Sequence, residues 1–285
     1  MSRSLDSSSS QGLVLVNLAC GSVFHPAWRN FDVTPVTPQV KYLDIRRRLP
    51  FEDASVDVCY AAHVLEHLRR IDARALLAEC YRVIRKEGII RLVVPDLESV
   101  VRDYLRLLEA VEGGSIEAQH DYEWILIEML DQLVRHNSGG AMSSYLRGGK
   151  LPNAKFVISR IGLEAERLMD DGEGYKAASR KRNIRNVRHY LRRIREEIVA
   201  LLATVFLGKD GSLAVREGIF RRSGEVHLWM YDRYSLRQLL ETSGFRNVRC
   251  CQAGESSIPG FQDYQLDTVE GRTRKPDSLF MEASK

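Results

Sequence analysis

A chain of 285 residues with 44% hydrophobic content is long enough for one large domain, or a domain carrying an insertion, around a sizeable core. The net charge of +4 is too slight to mark a nucleic-acid binder, and the five cysteines (Cys20, Cys59, Cys80, Cys250, Cys251) have no spacing that suits a zinc site or a disulfide framework. The longest strongly apolar run, residues 198–207, is well short of the roughly 20 needed to cross a bilayer, so no transmembrane segment is expected.

Residues 1–11 are rich in serine and lack the apolar core of a secretory signal; they read as a disordered lead-in, and residence in the cytoplasm is expected. Residues 13–18, 28–33 and 56–61 then read as buried strands, with a short apolar run at 40–43. Residues 73–84 carry apolar side chains at helical spacing; Lys86, Glu87 and Gly88 stop them, and the β-branched run 89–94 ends at Pro95. This alternation predicts an α/β fold, a mostly parallel sheet with helices on both faces. Beyond Pro95 the pattern is helical, at 97–111, 122–134 and about 177–206, and strand character returns only at 248–252 and 279–283, after a helix at 235–242 that Gly244 ends. The expected organisation is a core at 12–111, a long helical insertion at 112–225 before the last strands, and a return to the core at 226–285.

The first strand runs into Asn17-Leu18-Ala19-Cys20-Gly21, a turn of small residues at the carboxyl end of a buried strand, where ligands of open α/β sheets bind. Asp32, ending the second strand, can accept from both hydroxyls of a ribose; Asp44, after the third, can accept from an adenine amino group while Ile45 packs on the ring. Taken singly, either aspartate is as readily a helix cap or a solvated loop residue.

Five blocks in order carry a family resemblance: residues 14–21, Leu49-Pro50-Phe51-Glu52-Asp53 with Val56-Asp57-Val58, His63-Val64-Leu65-Glu66-His67-Leu68, residues 79–88, and Pro95-Asp96-Leu97. Tyr231-Asp232-Arg233-Tyr234 and Ser243-Gly244-Phe245 match the same pattern further on. Together they resemble the class I methyltransferases of the type 11 branch, which implies a Rossmann-like core and S-adenosylmethionine as cofactor. The resemblance implies that Asn17, Ala19, Cys20 and Gly21 wrap the methionine part of the cofactor. It assigns the ribose to Asp32, the adenine to Asp44 with Ile45, and the floor near the sulfonium to Ala62 and His63. Asn17 stands where the family usually has an acid, Ala19 where it usually has glycine, and Val23 where a third glycine is common. Only ten residues separate Leu18 from Arg29, close to the minimum for a parallel crossover, so the first helix must be very short. Pro26 and Trp28 suggest a turn and an aromatic anchor there. That shortened crossover resembles a bacterial subgroup associated with surface polysaccharide synthesis, which points to a small polar or glycan acceptor.

Methyl transfer from a sulfonium is an in-line displacement, so placing the nucleophile supplies most of the acceleration. Where the acceptor is a hydroxyl a general base helps, and histidine, with an ordinary pKa of ~6.5, suits that role. Candidates are His227, His63 and His67, with Asp96 or Asp232 to orient or replace them. His63 and His67 at i and i+4 would share a helical face, but no third ligand accompanies them and no metal is expected. His227 is favoured because it lies where the insertion meets the returning core.

Within the insertion, Asp131, Gln132, Arg135, Gly139 and Gly140 follow an apolar helix whose polar end could touch substrate. From Lys176 to Arg195 there are nine basic residues and no acid, while apolar residues from Ile184 to Val205 recur in steps of three and four. The basic face reads first as a solvated surface, then as part of a helix pairing between protomers through the Ile184 to Val205 seam, then as a site for an anionic surface or carrier. Two rivals to the glycan reading stand: methylation of a protein or nucleic acid docked on the basic helix, and a non-catalytic interaction module.

Overall fold

The computed structural model describes residues 12–149, 151–170 and 187–285. In chain order the elements are β1 (Leu15–Leu18), β2 (Arg29–Asp32), β3 (Val40–Tyr42), β4 (Val56–Ala62), α1 (Arg70–Val83), β5 (Ile84–Pro95), α2 (Leu97–Glu112) and α3 (Ala118–Val134). They continue with α4 (Gly140–Leu146), α5 (Ala154–Ile161), α6 (Leu163–Asp170), α7 (Val187–Arg221), α8 (Arg233–Thr242), β6 (Arg246–Cys251), β7 (Thr268–Val269), β8 (Arg272–Thr273) and β9 (Ser278–Ser284). Two compact units result, residues 12–99 with 228–285 and Val100–His227, so the division falls inside α2.

The first unit is built on a seven-stranded sheet in the order β3-β2-β1-β4-β5-β9-β6. Strands β1 to β5 are parallel to their neighbours, and β9 runs antiparallel between β5 and β6. Period-two alternation divides each strand between two cores. Val16, Leu18, Cys59 and Ala61 face Leu76, Leu77, Cys80, Leu236 and Leu240 of α1 and α8. Leu15, Val58, Tyr60 and Val93 face the other way, onto Trp28, Ile258, Phe261 and Leu266. That second core is closed by coil and one 3-10 turn at Phe261–Tyr264, where helices had been expected on both faces. The physical reason is the short first crossover: it forms turns and no helix, and Trp28 fills the space, packing edge-on to Tyr60 and Tyr264.

Strand β5 also begins earlier than expected, at Ile84. Lys86-Glu87-Gly88 bends the strand without ending it: Glu87 takes φ +64°, and a Cβ on Gly88 would lie 2.6 Å from Ile84 Cγ2 and 2.8 Å from the Asp57 carbonyl oxygen. The matching blocks at 49–53 and 79–88 meet in one clamp. Arg82 donates to Glu79 through Nε (2.9 Å) and Nη2 (2.7 Å), to Asp53 (2.7 Å) and to the carbonyls of Leu49 and Phe51. On the other face Arg91, wholly buried, donates to Asp267 (2.7 Å), Glu282 (2.8 Å) and the carbonyls of Gln252, Ala253 and Glu255. It ties the closing coil to the sheet.

In the second unit, Trp124, Val157, Ile161 and Ala165 of α3, α5 and α6 form one core. Val100, Leu107, Ala118 and Ile125 form another between α2 and α3. Buried Arg160 pairs with Glu128 and Asp103. Asp131 serves structure: its Oδ1 accepts from Ala141 N (2.7 Å) at the start of α4 and its Oδ2 from Arg135 (2.7 Å). Gly140, at φ +52°, leaves no room for a Cβ against that carboxylate. The polar end of α3 is therefore spent on the cap.

Of the helix expected at about 177–206, residues 177–186 lie outside the described residues, as does most of the stretch from Lys176 to Arg195. Helix α7 continues to Arg221, broken at Gly208 (φ 72°, ψ −168°). The expectation of no membrane-crossing segment counted only residues 198–207. Ile194–Arg221, at 28 residues, is long and apolar enough by length and composition to cross a membrane.

Candidate functional site

The carboxyl ends of β1, β2 and β4 lie side by side, so the residues just past them share one edge of the sheet. After β1 the chain turns through Ala19 (φ +51°) and Gly21 (φ +53°). For Ala19 this left-handed backbone costs on the order of 1 kcal/mol, which explains why glycine suits the position. A Cβ built on Gly21 meets nothing within 4 Å, so the backbone there is open to a ligand.

Asp32, at the end of β2, holds that turn: its Oδ2 accepts from Gly21 N (2.9 Å) and its Oδ1 from Thr34 N (2.7 Å). Each oxygen keeps a lone pair for a ribose hydroxyl. Cys20 sits half-buried beside it; burial, then the Asp32 charge, pushes its thiol up to about 11, so it is uncharged at neutral pH. Asn17 is buried and braces the short crossover, its amide donating to Val23 O (3.1 Å) and Asn30 Oδ1 (3.2 Å). Asn17 Oδ1 remains buried without a hydrogen-bond partner among the described residues, an acceptor with no donor. Asp44 pairs with Arg46 through two bonds (2.9 and 3.0 Å), which hold its carboxyl below the usual range, while Ile45 packs against the first core. Its carboxylate is thus already engaged by Arg46. An open glycine turn, a carboxylate with spare acceptor capacity and an orphaned buried acceptor fit the ribose and aminoacyl parts of S-adenosylmethionine.

Ala62 ends β4, and His63 follows at φ +53° with its amide on Val93 O (2.8 Å). A non-glycine residue held there marks a strained position. The ring lies between two partners: Nδ1 is 3.1 Å from Glu66 Oε1 and Nε2 is 3.1 Å from Ser278 Oγ. Glu66 is wholly buried. A carboxylate only accepts, so in the neutral ring Nδ1 carries the proton and Nε2 accepts from the serine hydroxyl. The expected helical face shared by His63 and His67 does not form, because the left-handed turn and a 3-10 turn at Leu65–His67 occupy the segment. Both rings instead approach Glu66, His67 Nε2 at 4.0 Å.

The carboxylate candidates act as caps. Asp96 Oδ1 accepts from Glu98 N (3.0 Å) at the start of α2. Asp232 closes a capping box with Ser235 on α8, and the backbone bond from Ser235 leads the effects that lower its pKa. His227 is the last residue of the second unit, buried, its amide on Gln132 O (2.9 Å). Sequence reasoning missed Glu66 and Ser278 as partners of His63, and it missed a cavity of about 120 Å³ between α1 and α8. Arg70, Arg74, Trp229, Tyr231 and Gln238 line that cavity, and the Arg70 guanidinium stacks 4.6 Å over the Trp229 ring.

The strand order, the antiparallel β9 and the cradle at the ends of β1 and β2 define a Rossmann-like methyltransferase fold, with a helical insertion before its last strands. Residues 20–92 match the family model described as a methyltransferase domain, of type 11. No curated protein matches the chain. Similar solved structures include a Haloferax volcanii methyltransferase in complex with the Trm112 methyltransferase activator, at 13% identity over 96% of this chain and 82% of that one, TM-score 0.38. A SAM-dependent methyltransferase from Archaeoglobus fulgidus is 11% identical over 96% and 87%, TM-score 0.38, and one from Thermotoga maritima 10% over 95% and 82%, TM-score 0.35. By the family match the first unit carries a stretch similar to a methyltransferase domain, at residues 20–92 of 285.

Proposed function

We propose that the protein methylates a hydroxyl of a small polar acceptor, a sugar or glycan, in the cytoplasm. The observation that carries this reading is the chain Glu66–His63–Ser278 at the end of β4. S-adenosylmethionine, when bound, supplies an electrophilic methyl group on a sulfonium. His63 Nε2, which accepts from the Ser278 hydroxyl, can accept from an acceptor hydroxyl in its place. As the new oxygen–carbon bond forms, the hydroxyl proton passes to Nε2. Glu66, desolvated and bonded to Nδ1, fixes the tautomer and stabilises the imidazolium that results. A thioether or tertiary amine acceptor would need no such base. Asp32 supports the cofactor half of the reading. The cavity between α1 and α8, with two arginines and Gln238, suits a hydroxyl-rich or anionic acceptor.

The test is calorimetric titration with S-adenosylmethionine and S-adenosylhomocysteine, followed by a screen of glycan and nucleotide-sugar acceptors. Wild type should bind cofactor, Asp32→Ala should not, and His63→Gln should lower kcat at saturating cofactor by roughly 10²-fold or more. Equal turnover by wild type and His63→Gln would remove the base, and with it the case for a hydroxyl.

A further inference from the structure

We propose that the hairpin made by α7 inserts into the surface of an anionic lipid bilayer and holds the enzyme there. The proposal concerns a surface in the second unit and is independent of which acceptor the enzyme methylates.

Arg216 pairs with Glu197 through two bonds, 2.7 and 3.1 Å, although the two are 19 positions apart. On a straight helix that separation is about 28 Å. The break at Gly208 therefore folds the two arms together, with the base of the hairpin near Arg195 and Arg221 and its apex at Gly208 and Lys209. The first arm is apolar and, among the described residues, uncovered: Val205 is 71% exposed, Phe206 79% and Leu207 69%, with Ile198, Val199, Leu201 and Leu202 also exposed. Only Ala200 and Ala203 are buried along that stretch.

The width of this surface selects its occupant. At 3.6 residues per turn the exposed side chains from Leu201 round to Val199 form an uninterrupted arc of roughly 160°, with Leu207 beyond the buried Ala203. A helix docked in a protein groove, or paired with a second copy, presents a stripe of about 100°. An arc this wide suits a helix whose apolar face lies in the interface of a membrane. The one polar side chain within it, Thr204, already donates its hydroxyl to Ala200 O (2.9 Å), so it brings no unmet bond into lipid.

Charge fixes the orientation and the lipid. Arg195, Arg221 and Arg222 are exposed at the base, and Lys209 and Asp210 are exposed at the apex. Charges at both ends rule out upright burial, which would carry Lys209 and Asp210 toward the bilayer centre. The hairpin instead lies in the interfacial plane, its apolar arm about 5–10 Å deep and its ends at the headgroups. The exposed arginines at the base, Arg195, Arg221 and Arg222, favour anionic headgroups.

The test is flotation of the full-length protein with vesicles of phosphatidylcholine alone and of phosphatidylcholine with a third of phosphatidylglycerol. The protein should float with the anionic vesicles, and Phe206→Glu with Leu207→Glu should lower recovery about tenfold or more. Arg221→Glu with Arg222→Glu should weaken binding to the anionic vesicles alone. Circular dichroism and cofactor titration verify that each variant is folded. The proposal is overturned if wild type and the Phe206/Leu207 variant float equally or neither floats. It is overturned equally by a concentration-dependent dimer, lost in that variant, without vesicle binding.

Discussion

Replacing Arg91 with methionine tests the account of the first unit most severely. The side chain has no exposed surface, and it neutralises two carboxylates that are themselves about 2% exposed, Asp267 and Glu282. It also satisfies three carbonyls, and Phe261 and Phe280 pack at 4.5 and 5.6 Å from its guanidinium. Methionine keeps the apolar stem and removes the charge, leaving Asp267 buried with the Tyr60 hydroxyl in place of a cation, while Glu282 keeps Arg249. Breaking a buried pair from one side costs about 3–5 kcal/mol, against about 5–15 kcal/mol of total stability, so the melting point should fall by roughly 10 °C. The loss should depend on pH. Desolvation is the largest influence on Asp267 and raises its pKa even with Arg91 present. Without the arginine the rise is larger, and a carboxyl with a raised folded pKa is stabilising below its unfolded value and destabilising as pH rises through the folded one. Urea midpoints of the Arg91→Met variant and wild type should therefore differ most at pH 7 and converge toward pH 4. A loss below about 1 kcal/mol at pH 7, or one that is the same at both pH values, would refute the reasoning.

Two further outcomes follow from the same network of contacts. Arg82 is the first of the influences that hold the Glu79 carboxyl below its ordinary value of 4.5, so the stability it contributes is complete above that value and lost as pH falls through the lower folded one. Glu79→Gln should cost about 1–2 kcal/mol at pH 7 and flatten the acid limb of an unfolding-against-pH curve; an unchanged limb would deny the clamp. Cys250 is exposed, whereas Cys20 is half-buried with its thiol near 11, and Cys59, Cys80 and Cys251 are buried. A disulfide reagent at pH 8 should modify one thiol quickly, and Cys250→Ser should abolish that phase; two fast thiols in the native protein would contradict the electrostatics at Cys20.

What could be read in advance, and what could not, divides by the range of the interaction that decides it. Strands β1, β4 and the later half of β5 were legible because a parallel strand buried on both faces is a mainly apolar run. The bend at Glu87 and Gly88 was misread as a stop, because the same residues that end a helix also permit a bulge in a strand. Helices α4 and α6, of seven and eight residues, gave no usable period. What starts α4 is Asp131, ten positions before Ala141, which no local pattern displays. The family blocks located the site without explaining it: the blocks at 49–53 and 79–88 prove to be the two halves of the Arg82 clamp. The histidines show the limit most clearly. An i, i+4 pair implies a shared face only on a helix, and His63 leaves β4 through left-handed backbone, so its partners are Glu66, three residues on, and Ser278, 215 residues away. The first of these is in the motif and could have been weighed; the second arrives only because β9 pairs with β5 in a register that sets Ser278 opposite Pro95, beside the end of β4. The proposed base is thus oriented by the last strand to join the sheet, which makes its geometry a property of the completed fold.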